Sequence, residues 1–228
     1  WFEDGMKLST IRTTDIVPID LNALMFAMEQ RIASGCRAQM DEACTRRFSR
    51  LAQQRKNAVD KYLWSAAEGR YADWDRISRR QTATLSAATL YPLFVGMSSQ
   101  TQADAVARLT EDRLLAPGGL RTTLIRTGQQ WDAPNGWAPL QWIAVDGLER
   151  YGHPDIARAI AGRWLQTVDR TYRETGKMLE KYDVEEQKPG GGGEYPTQDG
   201  FGWTNGVASV LLQRYPDLET RATEAVSR

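Results

Sequence analysis

Ile156, Ile160, Trp164, Val168 and Tyr172 stand four residues apart, with Ala157 and Ala161 beside them. A chain that repeats its apolar positions at that interval can bury them together only as one stripe of a helix. The pattern recurs. Leu21, Leu24, Met25, Met28 and Ile32 form an apolar stripe that predicts a first helix, and Phe48, Leu51, Val59, Tyr62 and Leu63 predict a second ending near Trp64. Helical patterns run from Thr82 to Phe94 and from Ala103 to Leu115, joined by the serine-rich GMSSQT and closed by APGG. Strand-like alternation is nearly absent, so the chain is predicted to be all-α.

Successive helices of this length, linked by loops that carry Trp, Asp and Gly, predict an array of helical hairpins. Such an array either closes into a ring of inner and outer helices or continues as an open solenoid. A repeat protein would show a fixed period, and none is visible here, which favours the ring. The count of about four hairpins is short of a closed double ring, so the predicted ring is incomplete.

At 228 residues the chain is long enough for one domain, or two small ones, with a real core. Its 29 Lys and Arg balance 29 Asp and Glu, so no net field draws nucleic acid or an anionic membrane. No apolar run is long enough to cross a bilayer, and residues 1–20 lack the basic start and apolar middle of a secretory leader. The chain opens on Trp1 and Phe2, which reads as a piece of something longer. The single histidine, His153, sits between Gly152 and Pro154 and reads as a loop residue joining two helices. One histidine and no CxxC pair leave zinc hydrolysis and Ser-His-Asp chemistry with almost no support. Cys36 and Cys44 lie eight residues apart, about 12 Å in an unbroken helix. Only a turn, with Asp41 capping a new helix, would let them bridge; both arrangements stay open.

Two stretches break the helical pattern. Residues 129–142, QQWDAPNGWAPLQW, gather three tryptophans, an Asn-Gly pair and two prolines. Residues 180–206 form a long connection with seven glycines, four of them consecutive. Consecutive glycines alone would read as a flexible linker. The flanking Tyr182, Tyr195, Phe201 and Trp203 argue otherwise, because aromatic rings are costly to leave in water, and glycines between rings and carboxylates suit a loop folding closely over a ligand.

Ring faces, amides and isolated carboxylates, with neither metal nor histidine, are the chemistry of sugar recognition. Pyranose faces stack on rings while the hydroxyls meet Gln, Asn, Asp and Arg. Glycoside hydrolysis needs two carboxyl groups, and Glu180 and Glu194 flank the glycine run. A solvated glutamate is the plain alternative for each.

QWDAPNGWAPLQW, Gln130 to Trp142, resembles a signature motif of the trehalases, and GGGGEYPTQDGFGWTNG resembles their glycine-rich C-terminal motif. IRTTDIVPIDLNALMF, Ile11 to Phe26, and APGGL, Ala116 to Leu120, are similar to the corresponding bacterial segments. The resemblance extends over essentially the whole chain. It implies hydrolysis of α,α-trehalose to two glucose molecules with inversion, an (α/α)6 toroid, and no cofactor or metal. It implies Glu180, in EKYDV, as general base and Glu194 as a sugar-contacting carboxylate. Trp131, with Asp132 and Asn135 beside it, and Phe201 and Trp203 in the second stretch would line the substrate pocket. Trp137 and Trp142 fit core packing at least as well.

The chain departs from the family at its acid. A trehalase's general acid is an aspartate in a Gly-Trp-Asp segment just upstream of the motif that begins at Trp1, and no such segment occurs in residues 1–228. A Pro-Gly-Gly-Arg stretch and the sugar-gripping arginines are missing too. Asp4, Asp15 and Asp20 are the nearest carboxyls, and none sits in the required motif. Residues 1–228 are thus expected to be the C-terminal part of a trehalase catalytic domain and inactive alone. Their exposed inner-helix surface would invite the missing N-terminal part or a second copy. A periplasmic location is expected. The rival readings are a non-catalytic trehalose- or sugar-binding helical module and a helical scaffold that binds a protein or peptide.

Overall fold

The computed structural model describes residues 7–193 and 195–218, and among them seven α-helices carry the fold. These are α1 (Ile19–Ala38), α2 (Glu42–Tyr62), the single turn α3 (Tyr91–Phe94), α4 (Gln100–Leu109), α5 (Ala138–Arg150), α6 (Pro154–Thr175) and α7 (Gly202–Arg214). Their ends follow from local chemistry. Asp41 caps α2 by accepting from the Cys44 amide at 2.9 Å, and Ser99 and Gln102 close a reciprocal capping box on α4. Proline opens α5 and α6, and Gly176 in the left-handed region ends α6.

α1, α3, α5 and α7 touch one another in series as an inner row, while α2 packs on α1 and α6 on α5 and α7. The core between the layers is continuous, running through Leu90, Leu93, Ala144, Val145, Leu148, Ile160, Ala161, Trp164 and Leu211, all fully buried. The architecture is thus a mostly helical double layer, an incomplete (α/α)6 toroid in which α2 and α6 back the inner row.

The connections contain ten strands of two or three residues, too short to leave a period of two in the sequence. These are β1 (Ile16–Val17), β2 (Trp64–Ser65), β3 (Arg70–Tyr71), β4 (Trp74–Asp75), β5 (Arg80–Gln81), β6 (Leu115–Ala116), β7 (Gly119–Leu120), β8 (Asn135–Trp137), β9 (Lys181–Asp183) and β10 (Lys188–Pro189). All pairings are antiparallel, in the orders β1-β4-β5, β10-β9-β8, β2-β3 and β6-β7.

Two sequence expectations are corrected. The stripe Leu21, Leu24 and Met28 faces outward, each residue 45–53% exposed, and α1 instead buries Ile19, Ala23, Phe26, Glu29 and Ala33. α1 is apolar on two faces, so periodicity could not say which one the described residues cover, and the buried face holds a charge. Glu29 is taken inside because Arg55 meets it with two bonds of 3.0 and 2.7 Å and also reaches Asn22 at 2.9 Å. The second correction is Thr82–Phe94, which is helical only from Ala87 as a 3-10 turn running into α3. Ser86 is extended, paired with Thr123 and capping the turn, so the segment before it belongs to the sheet-like connections. α4 ends at Leu109 and continues to Leu114 as a π turn, and the rest of the helix assignments hold within a few residues.

Cys36 and Cys44 are bridged, with Cα atoms 5.7 Å apart, because the chain turns between α1 and α2 where Asp41 caps. His153 occupies the α5–α6 junction, and its Nε2 lies 3.0 Å from Asp104 Oδ1.

Glycine shows how closely the inner row packs. A Cβ on Gly147 of α5 would lie 2.8 Å from the Phe94 amide nitrogen, whereas one on Gly35 of α1 would meet nothing within 4 Å. In an open helix position Gly→Ala gains about 0.5–1 kcal/mol of stability. Gly35→Ala is therefore expected to raise the melting temperature. Gly147→Ala is expected to lower it, by about 1–3 kcal/mol of overpacking, in thermal unfolding followed by circular dichroism.

Candidate active site

β8 runs directly into α5, and β9 lies beside it with Trp137 opposite Lys181, Gly136 opposite Tyr182 and Asn135 opposite Asp183. The tryptophan-rich stretch and the glycine-rich stretch are thereby one structure. Side chains of directly opposed strand residues share a face, so Lys181 lies over the Trp137 ring, 5.4 Å from its centroid. Trp137 is 1% exposed and stacks on half-buried Trp131 at 3.9 Å and 5°, and Trp203 meets Trp137 edge-on at 5.6 Å. Phe201 packs against Trp203 at 4.7 Å. Trp142 lies apart from this cluster, under the Arg214 guanidinium at 4.6 Å.

Glu180 sits inside the ring cluster, 1% exposed. Its backbone is fixed twice, the amide donating to Gln198 O at 3.0 Å and the carbonyl accepting from Trp203 Nε1 at 3.1 Å. Next to it the Thr204 hydroxyl donates to Leu179 O at 2.7 Å, so the first turn of α7 is fastened to the residues before β9. The two carboxylate oxygens differ. Oε1 accepts from Lys181 Nζ at 2.5 Å, while Oε2 has the Tyr195 hydroxyl at 3.5 Å, the limit of hydrogen-bond reach. Tyr195 is 43% exposed, whereas the Glu180 side chain is 1% exposed. Burial pushes the neighbouring Tyr182 hydroxyl above its usual range, and it stays neutral where it accepts from the Leu179 amide at 2.9 Å.

Asp132 and Asn135 are buried and shape the wall from behind. Asp132 accepts from Thr123 Oγ1 at 3.0 Å and Thr127 Oγ1 at 2.5 Å, next to a cis Ala133–Pro134 peptide. Asn135 donates to Gln130 O at 3.1 Å and Gly191 O at 2.7 Å, and accepts from the Gly191 amide at 3.3 Å. The glycine run is therefore pinned and is not a linker. Gly192 and Gly193 both have positive φ, the Gly193 amide donates to Gly128 O at 3.0 Å, and a Cβ on Gly192 would lie 2.5 Å from that same oxygen. Any other residue there would hold the loop off the tryptophan segment.

The expected Glu194, Trp1, Phe2 and Asp4 lie outside the described residues. Asp15 pairs with Arg76 at 3.3 Å, and Asp20 bonds the Leu21 amide at α1's start. Sequence reasoning missed Lys181 and Gln130, whose side chains meet at 3.2 Å. Lys181 stands in LEKYDV, where nothing in the local sequence signals burial. Among the described residues no group of three or more His, Cys, Asp or Glu could hold a metal ion.

An inner row of helices with outer partners, carrying a buried carboxylate in a cage of rings at the starts of α5 and α7, makes this a protein of the (α/α)6 toroid class. The trehalase family profile matches residues 1–216, and the chain belongs to that family. It is 52% identical over 226 residues, 99% of its length, to the periplasmic trehalase of Xanthomonas axonopodis pv. citri, and covers 39% of that protein. It is 49% identical over 213 residues to the periplasmic trehalase of Citrobacter koseri, of which it covers 37%. The neutral trehalase of Saccharomyces cerevisiae superposes with a TM-score of 0.75 at 26% identity, over 88% of this chain and 38% of that one. A mannosylglycerate hydrolase of Thermus thermophilus shares the fold, with a TM-score of 0.71 at 21% identity over 87% of this chain and 45% of that one.

Asn135 joins the two loops, so Asn135→Ala removes three bonds and leaves Gly191 polar groups unpaired, at a cost of about 1–3 kcal/mol. Hydrogen exchange followed by mass spectrometry is expected to show faster exchange at residues 190–193 with α1 and α2 unchanged. Equal protection in the variant would show that the loops are held by something else.

Proposed function

We propose that the protein to which residues 1–228 belong hydrolyses α,α-trehalose to two glucose molecules with inversion, with Glu180 as general base. The observation that carries the reading is a carboxylate buried among tryptophans with one oxygen tied to Lys181 and the other held only by a long contact to Tyr195. In the reaction a water gives its proton to Glu180 Oε2 as its oxygen bonds the anomeric carbon. The glycosidic C–O bond breaks on the opposite face, and a carboxylic acid protonates the departing glucose oxygen. Trp131, Phe201 and Trp203 present rings to the sugar, Asp132 and Asn135 hold that wall in shape, and Glu194 supplies a carboxylate to the sugar hydroxyls.

Neither Asp132 nor Asp183 is proposed as the acid. Both Asp132 oxygens are held by threonines, and Asp183 Oδ1 accepts the Glu185 and Glu186 amides at 2.9 Å each. An inverting pair stands about 6.5–9.5 Å apart. The acid is proposed to come from the Gly-Trp-Asp segment that trehalases carry and residues 1–228 do not contain. Residues 1–228 span 39% of the Xanthomonas axonopodis relative, and that remainder is proposed to complete the site. The names of the relatives and the Cys36–Cys44 bridge support a periplasmic setting, where disulfides persist.

The test is glucose release from trehalose. The full natural protein is expected to turn over and residues 1–228 alone to stay at background. Glu180→Gln in the full protein is expected to lose about 100- to 10,000-fold in kcat while still binding trehalose. Turnover by residues 1–228, or near-normal turnover by Glu180→Gln, would overturn the assignment. Binding without turnover in the unaltered full protein would establish the sugar-binding module instead.

A further inference from the structure

Lys181 is fully buried, and its ammonium is surrounded. It donates to Glu180 Oε1 at 2.5 Å and to Gln130 Oε1 at 3.2 Å, and it lies over the rings of Trp137 and Tyr195 at 5.4 and 5.1 Å. Lysine is almost never buried to this degree unless paired. A buried ion pair is a poor source of stability, since desolvating both charges offsets most of their attraction, and apolar replacements of similar volume are often neutral. Stability alone is thus a weak account of this lysine.

The geometry gives a better one. Neighbouring residues on a strand point to opposite faces, so Glu180 and Lys181 can meet only because the chain leaves strand geometry at Glu180, just ahead of β9. Gln198 and Trp203 hold the Glu180 backbone at that bend, while the register opposite Trp137 aims Lys181. Gln130 and the two rings then fix the ammonium as a point charge. The result is an asymmetric carboxylate: Oε1 is tied, and Oε2 has one weak contact. We propose that Lys181 is a positioning residue that locks the Glu180 carboxylate so that Oε2 alone receives the proton from the attacking water. The inference rests on Glu180 being the general base. Gln130 contributes through Lys181, which joins the tryptophan-rich stretch to the base it surrounds.

Misplacing a reacting group by about 1 Å can cost about 100-fold in rate. In the full natural protein, Lys181→Met is expected to lower kcat on trehalose by about that factor, with KM within about threefold and the melting temperature within a few degrees. The decisive arm is the double variant. If Lys181 acts through Glu180, Glu180→Gln with Lys181→Met has the same kcat as Glu180→Gln alone, whereas a purely structural role makes the two losses multiply. Multiplying losses, a Lys181→Met kcat within about threefold of normal, or a loss that tracks the loss of folded protein would each overturn the proposal. Lys181→Gln, shorter but still polar, is read by the same criteria where the Met variant does not fold. Near-normal turnover by Glu180→Gln is a separate result: it removes the base assignment, whatever Lys181 does.

Discussion

The pairing of β8 with β9 is the contact on which the site depends. Three residues on each side, far apart in the chain, bring the start of α5 against the segment that carries Glu180. Register decides everything else. With Trp137 opposite Lys181, the lysine faces the tryptophan wall, and a slip of one residue would turn it to the other side. The pairing is itself clamped from both flanks, by Asn135 bridging Gln130 and Gly191 and by Trp203 and Thr204 bonding the carbonyls of Glu180 and Leu179. Six short-strand residues therefore act as a rigid joint between two inner helices.

The same joint explains why charge is tolerated inside. Glu29 with Arg55 and Glu180 with Lys181 are both carboxylates taken out of water by one cation, yet they differ in use. Arg55 fills both Glu29 oxygens and adds Asn22, leaving that carboxylate nothing further to offer, as suits a fixture between α1 and α2. Lys181 fills one oxygen of Glu180 only. A bidentate guanidinium would have consumed both, so a compact ammonium is the partner that leaves a carboxylate oxygen available.

Much of this was legible in the sequence. The long periodic segments marked α2, α4 and α6, because a period of 3.6 is a property of the chain itself. Asp41, Gly152 and Pro154 are local signals and marked turns and caps where they stand. What failed needed knowledge of neighbours. Leu21, Leu24 and Met28 are as apolar as any core stripe, and only the packing of α2 and α3 shows that Ala23, Phe26 and Ala33 are the buried face. Lys181 was unreadable for a similar reason: its burial follows from Trp137, Tyr195, Glu180 and Gln130, three of them far away in sequence or beyond a loop. The two stretches were recognisable separately through their rings and glycines, whereas their union through β8 and β9 rests on pairs too short to announce themselves.

The inner row also divides the work of the site along the chain. Every bond that frames Glu180 comes from residues 128–137 and 179–204, at the α5–α7 end of the row. α1, at the other end, contributes none and carries the exposed Leu21, Leu24 and Met28. Among the described residues, the bonds to Glu180 therefore involve no residue of α1. An apolar stripe of that kind on a helix is costly to leave in water. The inverting hydrolysis proposed above needs two carboxyl groups on opposite faces of one bond, and such a division suits it. In that proposal the α5–α7 end of the row fixes Glu180, and the acid is supplied from elsewhere in the protein at the distance a water requires.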